Sequence, residues 1–190
     1  MGDRPAQTTA RPLTFATVQR TIGPASSLME VSSIEKTVPT LNQAGARYLI
    51  AGGLAVNAHG YVRYTKDIDL FIALDPPNVT AALRALMTIG FQPRVPVTPE
   101  QFAQPDQREI WRKEKGMVDL QHWSDQHPAT PIDVFETEPL PFAEEYARAP
   151  QFEIAPDLWA PFVSLEGLIA MKRAAGRPQD LEDVCRLGRL

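Results

Sequence analysis

Two aspartates, Asp67 and Asp69, stand one residue apart in the otherwise apolar segment that ends at Ile72. Side chains alternate between faces along a β-strand, so both carboxylates point to one side while Ile68 and Leu70 point to the other. Adjacent carboxylates repel each other, and Mg²⁺, which prefers hard oxygen ligands, neutralises that repulsion. The pattern therefore predicts a magnesium site. A solvated strand face gives the same spacing, and the aspartates alone do not separate the two interpretations.

A glycine pair, Gly52 and Gly53, lies upstream, between a short apolar strand and a short helix that ends at Gly60. Glycine lets the backbone approach a ligand closely, and the N-terminus of a helix offers unpaired N–H groups to phosphate. Alone, the pair is also compatible with an ordinary tight turn. Followed by the Asp-x-Asp strand, it places a phosphate cradle beside a metal site, and phosphoryl transfer requires both.

These residues belong to a series of helix and strand signals. Helices are predicted after the capping box Ser32-x-x-Glu35 up to Gly45, at 54–59, at 79–89 with Asn78 as N-cap, at 142–149, at 165–175 with Ser164 as N-cap, and from Pro178 onward. Strands are predicted at 48–51, 68–72 and 132–135, with a hairpin of 109–112 and 117–123 around Lys115-Gly116. The order predicts an α/β fold, in which a mixed sheet is flanked by helices and followed by a helical C-terminal segment from about residue 164.

The composition excludes several classes of protein. A chain of 190 residues with a net charge of -4 has room for one domain with a real core and is not expected to coat nucleic acid. Cys185 is the single cysteine of the sequence, which excludes an internal disulfide framework and a multi-cysteine zinc site. The apolar stretches are too short to cross a membrane, and the N-terminus lacks the apolar core of a signal peptide. A cytoplasmic protein without a membrane partner is expected.

The first 28 residues differ from the rest of the chain. They are rich in Thr, Arg, Pro, Ala and Gln and show little periodicity, which predicts a disordered tail. Residues 29–190 are then expected to form a single folded domain. Met29 stands just before the first strong helix signal and is an alternative start of the protein.

The central motif resembles the signature of a known superfamily. Gly52-Gly53, thirteen intervening residues and Asp67-Ile-Asp69-Leu70 are similar to the motif of the DNA polymerase beta nucleotidyltransferases. With His59-Gly60, Arg63 and Thr65, the string resembles the small bacterial branch of that superfamily. This branch includes relatives of the type IV abortive-infection toxins and enzymes that nucleotidylate antibiotics. The resemblance extends over roughly residues 30–187.

The resemblance implies a reaction and a set of site residues. A nucleoside monophosphate would pass from a nucleoside triphosphate to an acceptor hydroxyl or phosphate, and two magnesium ions would be held by Asp67, Asp69 and a third carboxylate. Gly52 and Gly53 would cradle the outer phosphates. Arg63 and Thr65 would contact phosphate or shape the loop before the metal strand.

Two positions compete for the third carboxylate. Asp133 lies in the apolar segment Ile132–Phe135, and Asp119 lies in Met117-Val-Asp-Leu120, which is nearly as good a strand. Asp133 is preferred because a helical segment at 142–148 follows it, as the resemblance implies. Either aspartate is also compatible with a solvated strand face.

The C-terminal segment supplies two further candidates, again through the resemblance to the toxin relatives. Lys172 shares a helical face with Leu165, Leu168 and Ile169 and would reach the triphosphate as a point charge. Asp180 would act near the metals or orient Lys172. An exposed lysine, and an aspartate favoured by the positive end of a helix dipole, explain the same residues without chemistry.

The acceptor is left open between a small molecule and the end of an RNA. A protein that tracks a duplex needs a basic stripe, and here the positive residues are scattered. The nearest approaches to clusters are the group Arg108, Arg112, Lys113 and Lys115, and the group Lys172, Arg173 and Arg177. A different class of function is a toxin–antitoxin or defence partner in which binding, for instance to a cognate antitoxin, matters more than catalysis.

Overall fold

A computed structural model describes residues 31–189 of the chain; the predicted tail at 1–28 and the alternative start at Met29 lie outside the described residues. The helices within this part are α1 Val31–Gln43, α2 Gly52–Ala58, α3 Pro76–Thr88, α4 Pro99–Ala103, α5 Pro105–Lys115, α6 Phe142–Ala147, α7 Leu165–Ala175 and α8 Pro178–Leu187. Its strands are β1 Tyr48–Ile50, β2 Ile68–Ile72, β3 Gln92–Pro93, β4 Asp119–Trp123, β5 Ile132–Phe135, β6 Gln151–Ala155 and β7 Leu158–Pro161.

Five of these strands form one mixed sheet in the order β1-β2-β5-β4-β3. β2 and β5 run parallel, and the other neighbouring pairs run antiparallel. β6 and β7 form a separate antiparallel hairpin. The predicted α/β fold with a mixed sheet and a helical C-terminal segment is thus confirmed. Within the described residues, no helix combines the length and apolar character needed to span a membrane.

The alternation of side chains along β2 and β5 separates a core face from a polar face. Ile68 and Leu70 on β2, and Ile132 and Val134 on β5, are buried. They belong to one hydrophobic cluster with the buried faces of α1 and α3. The aspartates between them lie on the opposite face and are only partly buried. The core therefore fixes the strand register that sets the positions of the carboxylates.

The predicted hairpin at 109–112 is wrong, because these residues belong to α5. Arg108 and Trp111, three residues apart, form the buried side of this helix. Its first turn carries an acid and its last turn three bases, which suits the helix dipole. Gly116, which was expected to form the hairpin turn, instead ends α5 with a left-handed φ of 62°.

Three predicted helix starts also differ from the structure. α2 begins at Gly52 and not at residue 54, so the glycine pair lies in its first turn. Ser32 lies inside α1 rather than at its N-cap. Asp75, not Asn78, is the N-cap of α3, because Pro76 and Pro77 suit the first helical positions and the Asp75 side chain accepts the Asn78 backbone N–H. The Asn78 side chain instead accepts a hydrogen bond from the Arg47 backbone N–H and donates one to the Ala73 carbonyl. Short elements with weak periodicity, α4, β3 and the β6–β7 hairpin, were not predicted.

A buried carboxylate, that of Glu145, accepts a hydrogen bond at the N-terminus of α7. The Ser164 hydroxyl accepts the Gly167 backbone N–H at 3.1 Å and caps the helix as predicted. Glu145, which is fully buried, accepts the Ser164 backbone N–H at 2.6 Å and is paired with Arg148. A carboxylate at the N-terminus of a helix is favoured by the helix dipole. This contact holds in place the helix that carries Lys172.

Gly167→Ala tests this contact. A Cβ at position 167 would lie 2.5 Å from Oε1 of Glu145, so we expect the substitution to lower the free energy of unfolding by about 1–3 kcal/mol. In an open helix the same change stabilises by roughly 1 kcal/mol. Urea denaturation measures the sign. In a Glu145→Ala background the obstacle is gone, and Gly167→Ala should become neutral or stabilising; a loss of stability of the same size in both backgrounds would contradict the interpretation.

Candidate active site

The two carboxylates at the centre of the candidate site are neighbours in the sheet. Asp69 on β2 is the register partner of Asp133 on β5. Partners on adjacent strands lie about 5 Å apart and share a face of the sheet. Asp67, two residues before Asp69, lies on that face as well. The Oδ1 atoms of Asp67 and Asp133 are buried and have no hydrogen-bond partner within the described residues.

The electrostatics of this cluster disfavour its full ionisation. Burial, followed by the charges of Asp133 and Asp67, raises the pKa of Asp69 to about 6, against the opposing effects of Lys172 and of a hydrogen bond from the Gly53 backbone. Burial also raises the pKa of Asp133 to about 6, with a hydrogen bond from Gln121 opposing. The pKa of Asp67 is raised by burial too. A bound counter-cation favours the joint ionisation of carboxylates clustered in this way.

Unsatisfied, partly buried carboxylate oxygens are the donor type that a hard divalent cation prefers. Asp67, Asp69 and Asp133 therefore fit magnesium by their chemistry. Within residues 31–189, no three histidine, cysteine, aspartate or glutamate side chains are already arranged closely enough to form a metal-binding group.

The two glycines of the pair lie so close to Asp69 and Thr65 that neither position has space for a Cβ atom. Gly52 has a left-handed φ of 58°, and a Cβ there would lie 1.7 Å from Oδ2 of Asp69. A Cβ on Gly53 would lie 2.3 Å from Oγ1 of Thr65. Since the Gly53 backbone N–H bonds to Asp69, the close approach at this turn is between the backbone and a carboxylate.

The loop between α2 and β2 is held by Asn57 of α2 and by His59, the residue that directly follows α2. Asn57 accepts the Arg63 backbone N–H at 2.9 Å and donates to the Arg63 carbonyl at 3.0 Å. His59, to which no chemistry was assigned, contacts the Val163 carbonyl at 2.8 Å and the ring of Phe152 edge-on. These contacts fix the position of Arg63 and tie α2 to the segment that precedes α7.

A buried ion network joins this loop to the C-terminal helices. The Lys172 ammonium lies 3.0 Å from Asp180 and 2.7 Å from Asp183, and Lys172 is only 6% exposed. Asp183 also pairs with Arg63 at 2.8 Å, and Asp180 pairs with Arg177 at 2.7 Å. Lys172 in addition lowers the pKa of Asp69, so its charge acts on the carboxylate cluster. Three predicted residues, Arg63, Lys172 and Asp180, thus belong to one network, and Lys172 links this network electrostatically to Asp69.

Asp183 is a member of the network that the sequence reasoning missed. It is fully buried and bridges Arg63 and Lys172. Its separation of three residues from Asp180 on α8 was the available signal, because residues three apart share a helical face.

Asp119, the competitor of Asp133, lies one strand further along the sheet. Its register partner is Phe135, whereas Gln121 is the partner of Asp133. Burial raises the pKa of Asp119, with Arg177 opposing and Asp67 adding to the rise. Both acids therefore share the polar face, and Asp133 is the one directly beside Asp69.

In the first basic group of the sequence, Arg108, Arg112 and Lys113 contact residues outside the carboxylate cluster. Arg108 is buried and donates to the Phe102 carbonyl at 2.6 Å. Lys113 pairs with Glu109 at 2.6 Å, and Arg112 lies near both Glu109 and Glu136. The second group contributes Lys172 and Arg177 to the ion network described above.

The fold and the central motif together define a nucleotidyltransferase of the DNA polymerase beta type. The sequence model of the AbiEii nucleotidyl transferase toxins of type IV toxin–antitoxin systems matches residues 41–189, and the chain belongs to this family. A solved structure of similar fold is the crystal structure of ANT(2")-Ia in complex with adenylyl-2"-tobramycin. It has a TM-score of 0.50 and 17% sequence identity, and the match covers 83% of this chain and 86% of that one. No curated protein sequence matches significantly.

Asp69→Asn should change stability and activity in opposite directions. Because the pKa of Asp69 in the folded state is raised above its unfolded value, the folded protein loses stability as pH rises from about 4 to 6. Asparagine removes the buried charge, so at pH 7.5 without divalent metal we expect a gain of about 1–3 kcal/mol in the free energy of unfolding. Urea denaturation at pH 4 and pH 7.5 measures it.

The control is Asp125→Asn, at an exposed turn, which should leave stability unchanged at both pH values. A loss of stability in Asp69→Asn at pH 7.5 would contradict the description of Asp69 as a carboxylate whose ionisation is disfavoured in the folded protein.

Proposed function

We propose that the protein transfers a nucleoside monophosphate from a nucleoside triphosphate to an acceptor hydroxyl or phosphate, with release of pyrophosphate, by two-metal catalysis. The observation that carries the proposal is the pair Asp69 and Asp133, side by side on parallel strands, with Asp67 two residues away. Family membership supports the reaction class.

Asp67, Asp69 and Asp133 would hold two Mg²⁺ ions. When bound, magnesium neutralises the charge that develops on the phosphates and favours ionisation of the attacking hydroxyl. The unpartnered oxygens of Asp67 and Asp133 support this assignment.

The chain's own groups have distinct proposed roles. Asp133, with a pKa of about 6, is suited to accept the proton of the acceptor hydroxyl as that oxygen forms its bond to the α-phosphorus and pyrophosphate leaves. Lys172 provides a positive charge for the triphosphate, and Asp180 and Asp183 hold its ammonium in place. Gly52, Gly53, Arg63 and Thr65 complete the proposed nucleotide-binding residues.

The acceptor is proposed to be a small molecule or the end of an RNA. The nucleotidylated aminoglycoside in the ANT(2")-Ia crystal structure makes an aminoglycoside one candidate small molecule. The family description favours a second function, in which the chain acts as the toxin of a pair and binds a cognate antitoxin. A cytoplasmic location remains part of the proposal.

Transfer of label from each α-³²P nucleoside triphosphate into a cell extract tests the reaction. We expect a labelled product with Mg²⁺ and none after chelation, because the carboxylates would lack their counter-cations. Asp67→Asn and Asp69→Asn should each lose at least about a thousandfold in rate. Asp125→Asn serves as control. Activity of either variant within about tenfold of the unsubstituted protein would refute two-metal catalysis.

The choice of third carboxylate has its own test. Asp133→Asn should reduce the transfer rate far more than Asp119→Asn, because Asp133 lies in register with Asp69 and Asp119 lies one strand away. Parallel assays at saturating Mg²⁺ compare the two variants. The reverse order would transfer the role to Asp119.

A further inference from the structure

The polar face of the sheet continues beyond the carboxylates. Gln121 on β4 is the register partner of Asp133, so its side chain lies on the same face. Arg94, which directly follows β3, donates its backbone N–H to the Gln121 carbonyl at 2.9 Å and so lies beside Gln121. One row of side chains therefore crosses four neighbouring chain segments from Asp69 through Asp133 and Gln121 to Arg94.

A second row runs next to it. Trp123 is two residues after Gln121 on β4 and shares its face, and its partner on β3 is Gln92. The intervening residues of β4, Leu120 and His122, are fully buried on the opposite face. The alternation thus places Trp123 and Gln121 on the side of the sheet that bears the carboxylates.

This part of the face is open. Trp123 is 41% exposed, and Gln92 and Arg94 are exposed. Within residues 31–189, Arg94 has no ion-pair partner within 4 Å, and the Trp123 ring packs against no other aromatic ring. An accessible indole and an accessible guanidinium therefore adjoin the proposed catalytic centre.

The chemistry of these groups selects a ligand. Nucleobases stack on aromatic side chains, guanidinium groups pair with phosphate, and amides bond to base edges. Arg94 favours the ionised form of Asp133, so its positive charge reaches the catalytic cluster. The row from Asp69 to Arg94 spans three strand spacings, roughly 14 Å, a distance comparable to the length of a nucleotide.

We propose that Trp123, Arg94 and Gln121 form the acceptor subsite and that this subsite takes a nucleotide unit, with its base on Trp123 and its phosphate on Arg94. The inference rests on the proposed transferase function, and it deepens that function by giving the chemical class of the acceptor. A free nucleotide and the 3′ end of a single-stranded RNA share this chemistry.

Binding is measured with an eight-nucleotide single-stranded RNA that carries a 5′ fluorophore and a free 3′ hydroxyl. The full-length protein is first saturated with Mg²⁺ and a non-hydrolysable triphosphate, and fluorescence anisotropy gives the Kd of the RNA. Competition with a nucleoside 5′-monophosphate distinguishes the two sources. Full displacement indicates that a free nucleotide occupies the subsite, and weak displacement indicates an RNA end.

Substitutions test the two anchoring residues. Trp123→Ala should weaken RNA binding about tenfold or more, while Trp123→Phe, which keeps an aromatic face, should retain most of it. Arg94→Gln should weaken binding and reduce the slope of log Kd against log salt by about 0.7. The matched controls are Trp159→Ala, an exposed tryptophan of β7, and Arg84→Gln, an exposed arginine of α3; neither should change the Kd.

The outcomes separate the two proposals. Triphosphate binding, measured independently on each variant, should be unchanged, and so should the melting temperature. If the unsubstituted protein fails to bind triphosphate with Mg²⁺, the transferase proposal itself fails. If it binds triphosphate but Trp123→Ala and Arg94→Gln bind RNA and monophosphate normally, the subsite is overturned alone. Transfer to an aminoglycoside that is insensitive to both substitutions would also overturn it.

Discussion

Repulsion between carboxylates on neighbouring strands is the constraint around which the rest of this structure is arranged. Two unit charges about 5 Å apart repel by roughly 3 kcal/mol at the effective dielectric of a protein surface. Asp69 meets that repulsion from Asp133 and Asp67 while it is also partly withdrawn from water. Such a cluster persists in a folded protein only when surrounding groups offset it and when the packing of the core fixes the strands in register.

The groups that offset the repulsion at Asp69 come from two distant parts of the chain, the first turn of α2 and the C-terminal helices. On one side, the turn at Gly52 lets the backbone approach Asp69, and the Gly53 N–H supports its ionised form. On the other side, Lys172 brings a positive charge from α7. Lys172 is itself buried, and it is matched by Asp180 and Asp183, which pair outward with Arg177 and Arg63. Positive and negative groups alternate from the loop before β2 to the last helix.

Buried ion pairs of this kind contribute little net stability, because removing charges from water offsets most of their attraction. Their effect is positional. The Arg63–Asp183 contact at 2.8 Å ties the loop before the aspartate strand to α8. The Glu145 contact with the start of α7 fixes the same helical segment from its other end. The proposed phosphate-facing lysine is therefore held from two directions, as a preorganised site requires.

Local patterns predicted the elements that carry strong periodicity or clear end signals. α7, with Ser164 before it and Gly176 after it, is one case, and β2 and β5, whose buried residues alternate with aspartates, are another. The prediction failed at α5, because Glu109-Ile-Trp-Arg112 has only two apolar residues between charged ones, and so short an apolar run does not distinguish a strand from one turn of a helix. The burial of Arg108 against the Phe102 carbonyl is a tertiary contact, and no local pattern shows it.

What the sequence by itself determined is the set of residue types at the candidate site and the class of protein that they indicate. The spacing of Asp67 and Asp69, the glycine pair before them and the choice of residue types are local properties of the chain, and they sufficed to indicate the superfamily. Only the tertiary structure decided which distant residues meet. The parallel pairing of β2 with β5 sets Asp133, rather than Asp119, beside Asp69, and the docking of α8 brings Asp183 to Lys172 and Arg63. Such contacts depend on strand order and helix packing, which are set by the burial of the whole core, and no short stretch of sequence encodes them.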